Sequence, residues 1–116
     1  MSKVILPTDP KRWGPPAWDF LYCVAFSYPH KPTKQERVDM QRFFMSLGNI
    51  LPCLKCRGNY NKKMTNKPVK DALRSKKSLV LYVMNMKNGI TKQNKKKKLD
   101  NYNDLCKKYY LTKLPY

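Results

Sequence analysis

Prolines and helix-capping residues cut the apolar residues of this chain into blocks, and within each block they recur at helical spacing. That division constrains the fold more than any other feature. Trp13-Gly14-Pro15-Pro16 reads as a helix start, because proline is tolerated in a first turn, where its missing N–H has no partner to lose. From there Trp18, Leu21, Tyr22, Ala25 and Phe26 form an aromatic-rich stripe that Pro29 ends. Thr33 and Glu36 match a capping box, and Met40, Phe43, Phe44, Leu47, Ile50 and Leu51 follow as the apolar face of a second helix. Pro52 ends that helix and opens a third, expected from Pro52 to Met64, with Thr65 to Val69 as a loop around Pro68. Asp71 opens a fourth stretch whose apolar part is Leu79, Val80, Tyr82, Val83 and Met86, closed by Asn88-Gly89. Lys92 to Lys98 is a basic connector, and Asp100 is placed to cap a last short helix carrying Tyr102, Leu105, Cys106 and Tyr109. Neither an alternating strand pattern longer than a few residues nor an internal repeat occurs. The expected class is all-α: helices around one shared core, a helical bundle.

At 116 residues the chain is sized for one domain, which excludes a two-domain enzyme with its own nucleotide-binding fold. No apolar stretch approaches the ~20 residues needed to span a bilayer. Val4-Ile5-Leu6 is interrupted at once by Pro7 and Asp9, so neither a signal peptide nor a transit sequence is read there. The expectation is a soluble protein that starts in the cytosol and has no membrane partner. With 25 Lys and Arg against 7 Asp and Glu, the formal net charge of +18 favours anionic partners: nucleic acid, phosphate-bearing cofactors, acidic proteins or an anionic membrane surface. The excess is mostly lysine, a point charge, rather than arginine, whose planar fork serves specific phosphate and base recognition.

The four cysteines are Cys23, Cys53, Cys56 and Cys106, too few and too unevenly spaced for a disulfide framework. Cys53 and Cys56 form a C-x-x-C in the first turns of the third expected helix. Cysteines at i and i+3 lie on one helix face, close enough to close a small disulfide. A helix N-terminus favours thiolate over thiol, and Lys55 and Arg57 push the same way. That is the setting of a reactive dithiol. The competing reading is a zinc ligand pair, which needs Cys23 and Cys106 or His30 to complete four ligands. A thioredoxin-type fold would place C-x-x-C after a strand, and here a capped helix precedes it. A dithiol transfers disulfides but does not make them from oxygen, so net formation calls for an electron acceptor, most commonly a flavin.

Four segments occur in the order and approximate spacing of the Erv/ALR-type FAD-linked sulfhydryl oxidases. They are Trp13-Gly14-Pro15-Pro16-Ala17-Trp18-Asp19-Phe20-Leu21, Tyr28-Pro29, Leu51-Pro52-Cys53-Leu54-Lys55-Cys56 and Asn85-Met86-Lys87-Asn88. The chain resembles this family over residues 12 to 110, above all the short forms encoded by large cytoplasmic DNA viruses. The resemblance implies a four-helix bundle plus a short fifth helix, FAD at the bundle mouth, and a homodimer. It implies a lead-in over 1–11, a single domain over 12–112 and a C-terminal tail over 113–116. By the same resemblance Cys56 is the flavin-proximal cysteine and Cys53 the one that exchanges with substrate. Arg12, Trp13, Gly14 and Trp18 line the flavin pocket, and Tyr22 stands where the family has a histidine. Asn85 and Asn88 match the asparagines of an H-N-x-x-N element, with Met84 in place of its adenine-stacking histidine and Lys87 in place of an apolar residue. Lys92 approaches the pyrophosphate, and no metal is expected.

The implied activity is an FAD-dependent thiol oxidase that forms disulfides in protein substrates, with oxygen as acceptor and hydrogen peroxide as product, during virion assembly. Its substrate would be a thioredoxin-like or small C-x-x-C protein, in the host-cell cytoplasm or the virion. The alternative is a basic helical nucleic-acid-binding or structural protein with a structural C-x-x-C; under the oxidase reading nucleic-acid contact is allowed but is not the main role. Taken alone, Trp13 and Trp18 read as core aromatics, and the Met40-Phe43-Phe44-Leu47 stripe as core or dimer seam. His30 reads as solvated, Lys95 to Lys98 as a solvated loop, and Cys23 as a buried free thiol. Cys106 reads as inert, as paired with Cys23, or as an electron relay.

Overall fold

A computed structural model describes residues 4–92 and 97–110. The expected tail 113–116, the first three residues and positions 93–96 of the basic connector, Lys95 and Lys96 among them, lie outside the described residues. Five α-helices and one 3₁₀ turn follow in order: α1 Pro10–Ser27, α2 Lys34–Ile50, α3 Leu54–Asn66, the turn Val69–Ala72, α4 Lys76–Thr91 and α5 Tyr102–Tyr109. No strand is present among the described residues.

Local chemistry sets most boundaries. α1 starts three residues earlier than Trp13, because Asp9 caps it: its carboxylate accepts from the Lys11 N–H at 2.9 Å, with Pro10 in the first turn. Pro15 and Pro16 therefore lie inside the helix. The lead-in is tied to this end by Arg12 Nη1 donating to the Ile5 carbonyl at 2.8 Å and Trp13 Nε1 to the Thr8 carbonyl at 3.1 Å. The Thr33–Glu36 capping box forms at the start of α2. α3 begins at Leu54 rather than Pro52, with Cys53 as its N-cap.

The stretch that Asp71 was expected to open divides in two. A 3₁₀ turn spans Val69–Ala72, and α4 starts at Lys76 under a Ser75–Ser78 capping box. α4 then runs through Asn88-Gly89 to Thr91. α5 is capped by Asn101, not Asp100, because the Asp100 carboxylate accepts from Tyr22 and Lys87 instead.

α1 packs chiefly on α4 and α2 on α3, with the 3₁₀ turn touching both α2 and α4 and α5 laid across α1 and α4. One core runs through the bundle, from Leu21, Ala25 and Phe26 on α1 to Phe44, Met64, Leu79, Val80, Val83 and Leu105. Burying each large apolar side chain contributes on the order of 1.5–3 kcal/mol. Buried tyrosines add polar ties between elements: Tyr28 donates to the Leu73 carbonyl and Tyr60 to the Phe44 carbonyl, each at 2.6 Å. Among the described residues no buried side-chain polar atom lacks a partner. Gly48 lets α2 and α3 approach closely. A Cβ there would run into the Asn61 side chain, whose amide donates to the Gly48 carbonyl at 3.1 Å.

Candidate functional site

The close approach of α2 and α3 leaves a short connection whose last residue, Cys53, has extended backbone (φ −120°, ψ 124°) and caps α3. Its Sγ accepts from the Cys56 N–H at 3.2 Å and is bonded to Cys56 Sγ, with the two Cα atoms 5.1 Å apart. That separation is within the ordinary disulfide range. The pair sits at the positive end of the α3 dipole, which stabilises a thiolate once the bond is reduced. Arg57 Nε donates to the Leu51 carbonyl at 2.6 Å, satisfying the C-terminus of α2. Both cysteines are half-buried, while Leu54 and Lys55 between them are exposed.

The two sulfurs have different surroundings. Cys56 lines a cavity of about 1050 Å³ between the N-terminal half of α1, α3, α4 and α5, and Cys53 does not. Trp13, Gly14, Trp18 and Tyr22 from α1 line the same cavity, so these expected pocket residues and Cys56 share one wall system. Tyr60, Lys63, Lys87, Asp100 and Tyr109 also line it, although none was singled out as a site residue from sequence. A signal for two of them was present: Cys56, Tyr60 and Lys63 follow at i, i+4 and i+7, on one face of α3.

Five expected pocket residues do not line the cavity. Arg12 is occupied with the lead-in. Met84 is half-buried against the core, and Asn85 is exposed beside a separate shallow groove of about 240 Å³ with Asp71 and Tyr82. Lys92 is exposed at the C-cap of α4. The helical period explains this: α4 turns Met86, Lys87 and Ile90 toward the cavity, and Asn85 falls on nearly the opposite side of the helix. Asn88 acts at one remove, because its amide donates to the Asp100 carbonyl and accepts from the Asp100 N–H, both at 2.9 Å.

Asp100 is the polar centre of the cavity wall. Its Oδ2 accepts from Tyr22 Oη and from Lys87 Nζ, each at 2.7 Å, and the Lys87 ammonium lies 5.8 Å from the Tyr22 ring centre. Burial alone would raise the Asp100 carboxyl. The hydrogen bonds from Lys87 and Tyr22 and the charges of Lys87 and Lys108 outweigh it and hold the group below the usual carboxylate range. Burial and the Asp100 carboxylate together push the Tyr22 phenol far above its ordinary value. Nearby, Tyr109 stacks on Phe26 with ring centres 5.2 Å apart and donates to Asp19 at 2.6 Å, fixing α5 to α1.

The cysteines outside the pair do not join it. Cys23 is exposed, which corrects the expectation of a buried thiol: the α1 stripe buries Leu21, Tyr22, Ala25 and Phe26, and Cys23 lies off that face. Cys106 is half-buried against the core. Among the described residues no three His, Cys, Asp or Glu side chains are grouped to hold a metal ion, and no helix is long and apolar enough to cross a membrane.

The family model for the Erv1 / Alr family matches residues 15–110. Among curated proteins, a probable FAD-linked sulfhydryl oxidase of Acanthamoeba polyphaga mimivirus is 35% identical over 92 residues, which are 78% of this chain and 64% of that protein. The mitochondrial FAD-linked sulfhydryl oxidase ERV1 of Saccharomyces cerevisiae is 30% identical over 81% of this chain and 49% of its own length. The chain thus spans about half to two-thirds of these relatives. Among solved structures, the yeast Erv1 core superposes with a TM-score of 0.81 at 26% identity, covering 95% of this chain and 90% of that one. The FAD binding domain of Saccharomyces cerevisiae Erv1 gives 0.78 at 25% identity, covering 85% and 91%.

Proposed function

The chain belongs to the Erv1 / Alr family, and on that premise we propose that it is an FAD-dependent thiol oxidase that forms disulfides in protein substrates. One observation carries the reading: the Cys53–Cys56 disulfide sits at a helix N-terminus with only Cys56 on the wall of a large aromatic cavity. The cavity suits a dinucleotide. Its volume is at the upper end for small-molecule sites, and its α1 wall offers Trp13, Trp18 and Tyr22 for a planar ring system. Lys63 adds positive charge to the wall for a phosphate-bearing group, while Lys87 is ion-paired with Asp100. Residues 12–112 form the catalytic domain in this reading, behind a lead-in over 1–11.

A substrate thiolate attacks Cys53 Sγ, the S–S bond breaks, and Cys56 leaves as a thiolate stabilised by the α3 N-terminus. A second substrate thiol resolves the mixed disulfide and releases Cys53. Two substrate thiols have then lost two electrons and two protons, and the dithiol holds the electron pair. Cys56 lies on the cavity wall, where Trp13, Trp18, Tyr22 and Tyr109 would hold a planar ring beside it. FAD, when bound there, would supply two-electron acceptor chemistry, with oxygen as the final acceptor and hydrogen peroxide as the product.

The substrate in this reading is a thioredoxin-like or small C-x-x-C protein. Similarity to the mimivirus oxidase supports action in a host-cell cytoplasm or virion, during virion assembly. Exposed Phe20, set edge-on to Phe43, gives the α1–α2 side an apolar spot suited to a homodimer seam. The deciding experiment is the visible spectrum of the purified chain loaded with FAD. A flavin band that bleaches with dithiol under nitrogen and returns with air supports the oxidase. A band that never bleaches would sink it.

A further inference from the structure

The electrostatics of the helix that carries the disulfide are one-sided. α3 contains Lys55, Arg57, Lys62 and Lys63 and no acidic residue, and no Asp or Glu occurs between Asp39 and Asp71. The positive end of the α3 dipole points at the same place. The negative end of the α2 dipole would oppose it, but Arg57 already satisfies the Leu51 carbonyl there. Lys55, between the two cysteines, is exposed and has no ion pair among the described residues. Leu54 beside it is 79% exposed, and Ile50 at the end of α2 is 62% exposed. Around the sulfurs the surface is therefore an apolar spot inside a positive field, on a chain of net charge +18.

We infer that the protein substrate of this oxidase presents its thiols on an acidic surface, with an apolar side chain beside the attacking cysteine. The inference rests on the oxidase reading and adds the recognition chemistry. Carboxylates flanking the substrate thiol meet Lys55 and the α3 N-terminus, and the apolar side chain covers Leu54 and Ile50. Attraction of this kind acts mainly on encounter, so it appears in kcat/KM and is screened by salt.

The test uses the FAD-loaded full chain, dithiothreitol, and two synthetic peptides of equal length. Each peptide carries one C-x-x-C with a leucine next to its first cysteine, flanked in one by glutamates and in the other by lysines. Each peptide's kcat/KM is divided by its own uncatalysed exchange rate with hydroxyethyl disulfide, which removes the effect of flanking charge on thiol reactivity. The expected result is an advantage of about tenfold or more for the acidic peptide at low salt, shrinking to within about threefold at about 0.5 M salt. Lys55→Glu should cut the same ratio at least about threefold, each rate being referred to that variant's own rate with dithiothreitol. Equal rates for the two peptides, or preference for the basic one, while dithiothreitol is oxidised, would overturn the inference and leave the oxidase reading standing. Failure to oxidise dithiothreitol would overturn both.

Discussion

Tyr22 and Asp100 are 78 residues apart in the chain, and their side chains meet at 2.7 Å on the wall of the candidate cofactor cavity. The carboxylate that Tyr22 reaches is also held by Lys87, while Asn88 clamps the Asp100 backbone from both sides. Tyr22 on α1 and Lys87 on α4 thus converge on one acidic group. The cluster fixes the segment leading into α5 against α1 and α4.

Removing the phenol should therefore loosen that end of the bundle. Tyr22→Phe is expected to lower stability by about 1–2 kcal/mol, since it deletes a hydrogen bond to a charged group. In a double-mutant cycle with Lys87→Ala, read by urea unfolding, the two changes should be non-additive by about 0.5 kcal/mol or more, because they share Asp100. Strict additivity would mean that the cluster does not act as a unit.

Acid should undo the same cluster. The Asp100 carboxyl is depressed in the folded chain, so its stabilisation is fully present above the ordinary carboxyl range near pH 4 and is lost as pH falls through the depressed value. Melting curves of the wild-type chain and Asp100→Asn should differ at pH 6 and converge at the acid end. A difference independent of pH would show that the loss is not one of charge.

At the other end of the scale, burial pushes the Tyr82 phenol up to about 12, and raises Tyr60, Tyr22 and Tyr109 further. Groups raised in this way stabilise the fold fully below the unfolded value near 10, and the contribution disappears as pH rises through the folded values. Tyrosinate absorbance near 295 nm should consequently appear in two stages. Exposed phenols titrate first, and the buried ones together with loss of helical circular dichroism. Ionisation of every tyrosine with the helices intact would contradict the buried hydrogen bonds.

Cys53 and Cys56 should fail differently. With Cys56→Ser, FAD is expected to stay bound but to remain oxidised when dithiol is added under nitrogen. Cys53→Ser should retain slow reduction through Cys56 while losing turnover with protein thiols. Identical behaviour of the two variants would contradict the asymmetry in which Cys56 alone faces the cavity.

Gly48→Ala tests the packing that sets the disulfide in place. The added methyl meets the Asn61 side chain and displaces its bond to the Gly48 carbonyl. A loss of about 1–3 kcal/mol, typical of overpacking, should appear as a lower urea midpoint. Adding Asn61→Ala should recover part of it.

What the sequence determined by itself was the local part of this protein. The Thr33–Glu36 box, the α2 stripe and the placement of Cys53 and Cys56 at the start of α3 all depend on residues three or four apart, whose geometry follows from the helix alone. The motif order was legible too, and with it the family. Tertiary structure decided the rest. Cys23 is exposed because only the packed bundle says which α1 face is inside. Asp100 gives up capping α5 to Asn101 because Tyr22 and Lys87, distant in sequence, claim its carboxylate. Lys87 rather than Lys92 faces the cavity because the rotation of α4 about its axis is set by what it packs against. Such contacts join elements far apart in the chain, and no pattern within one helix encodes which partner each face will meet.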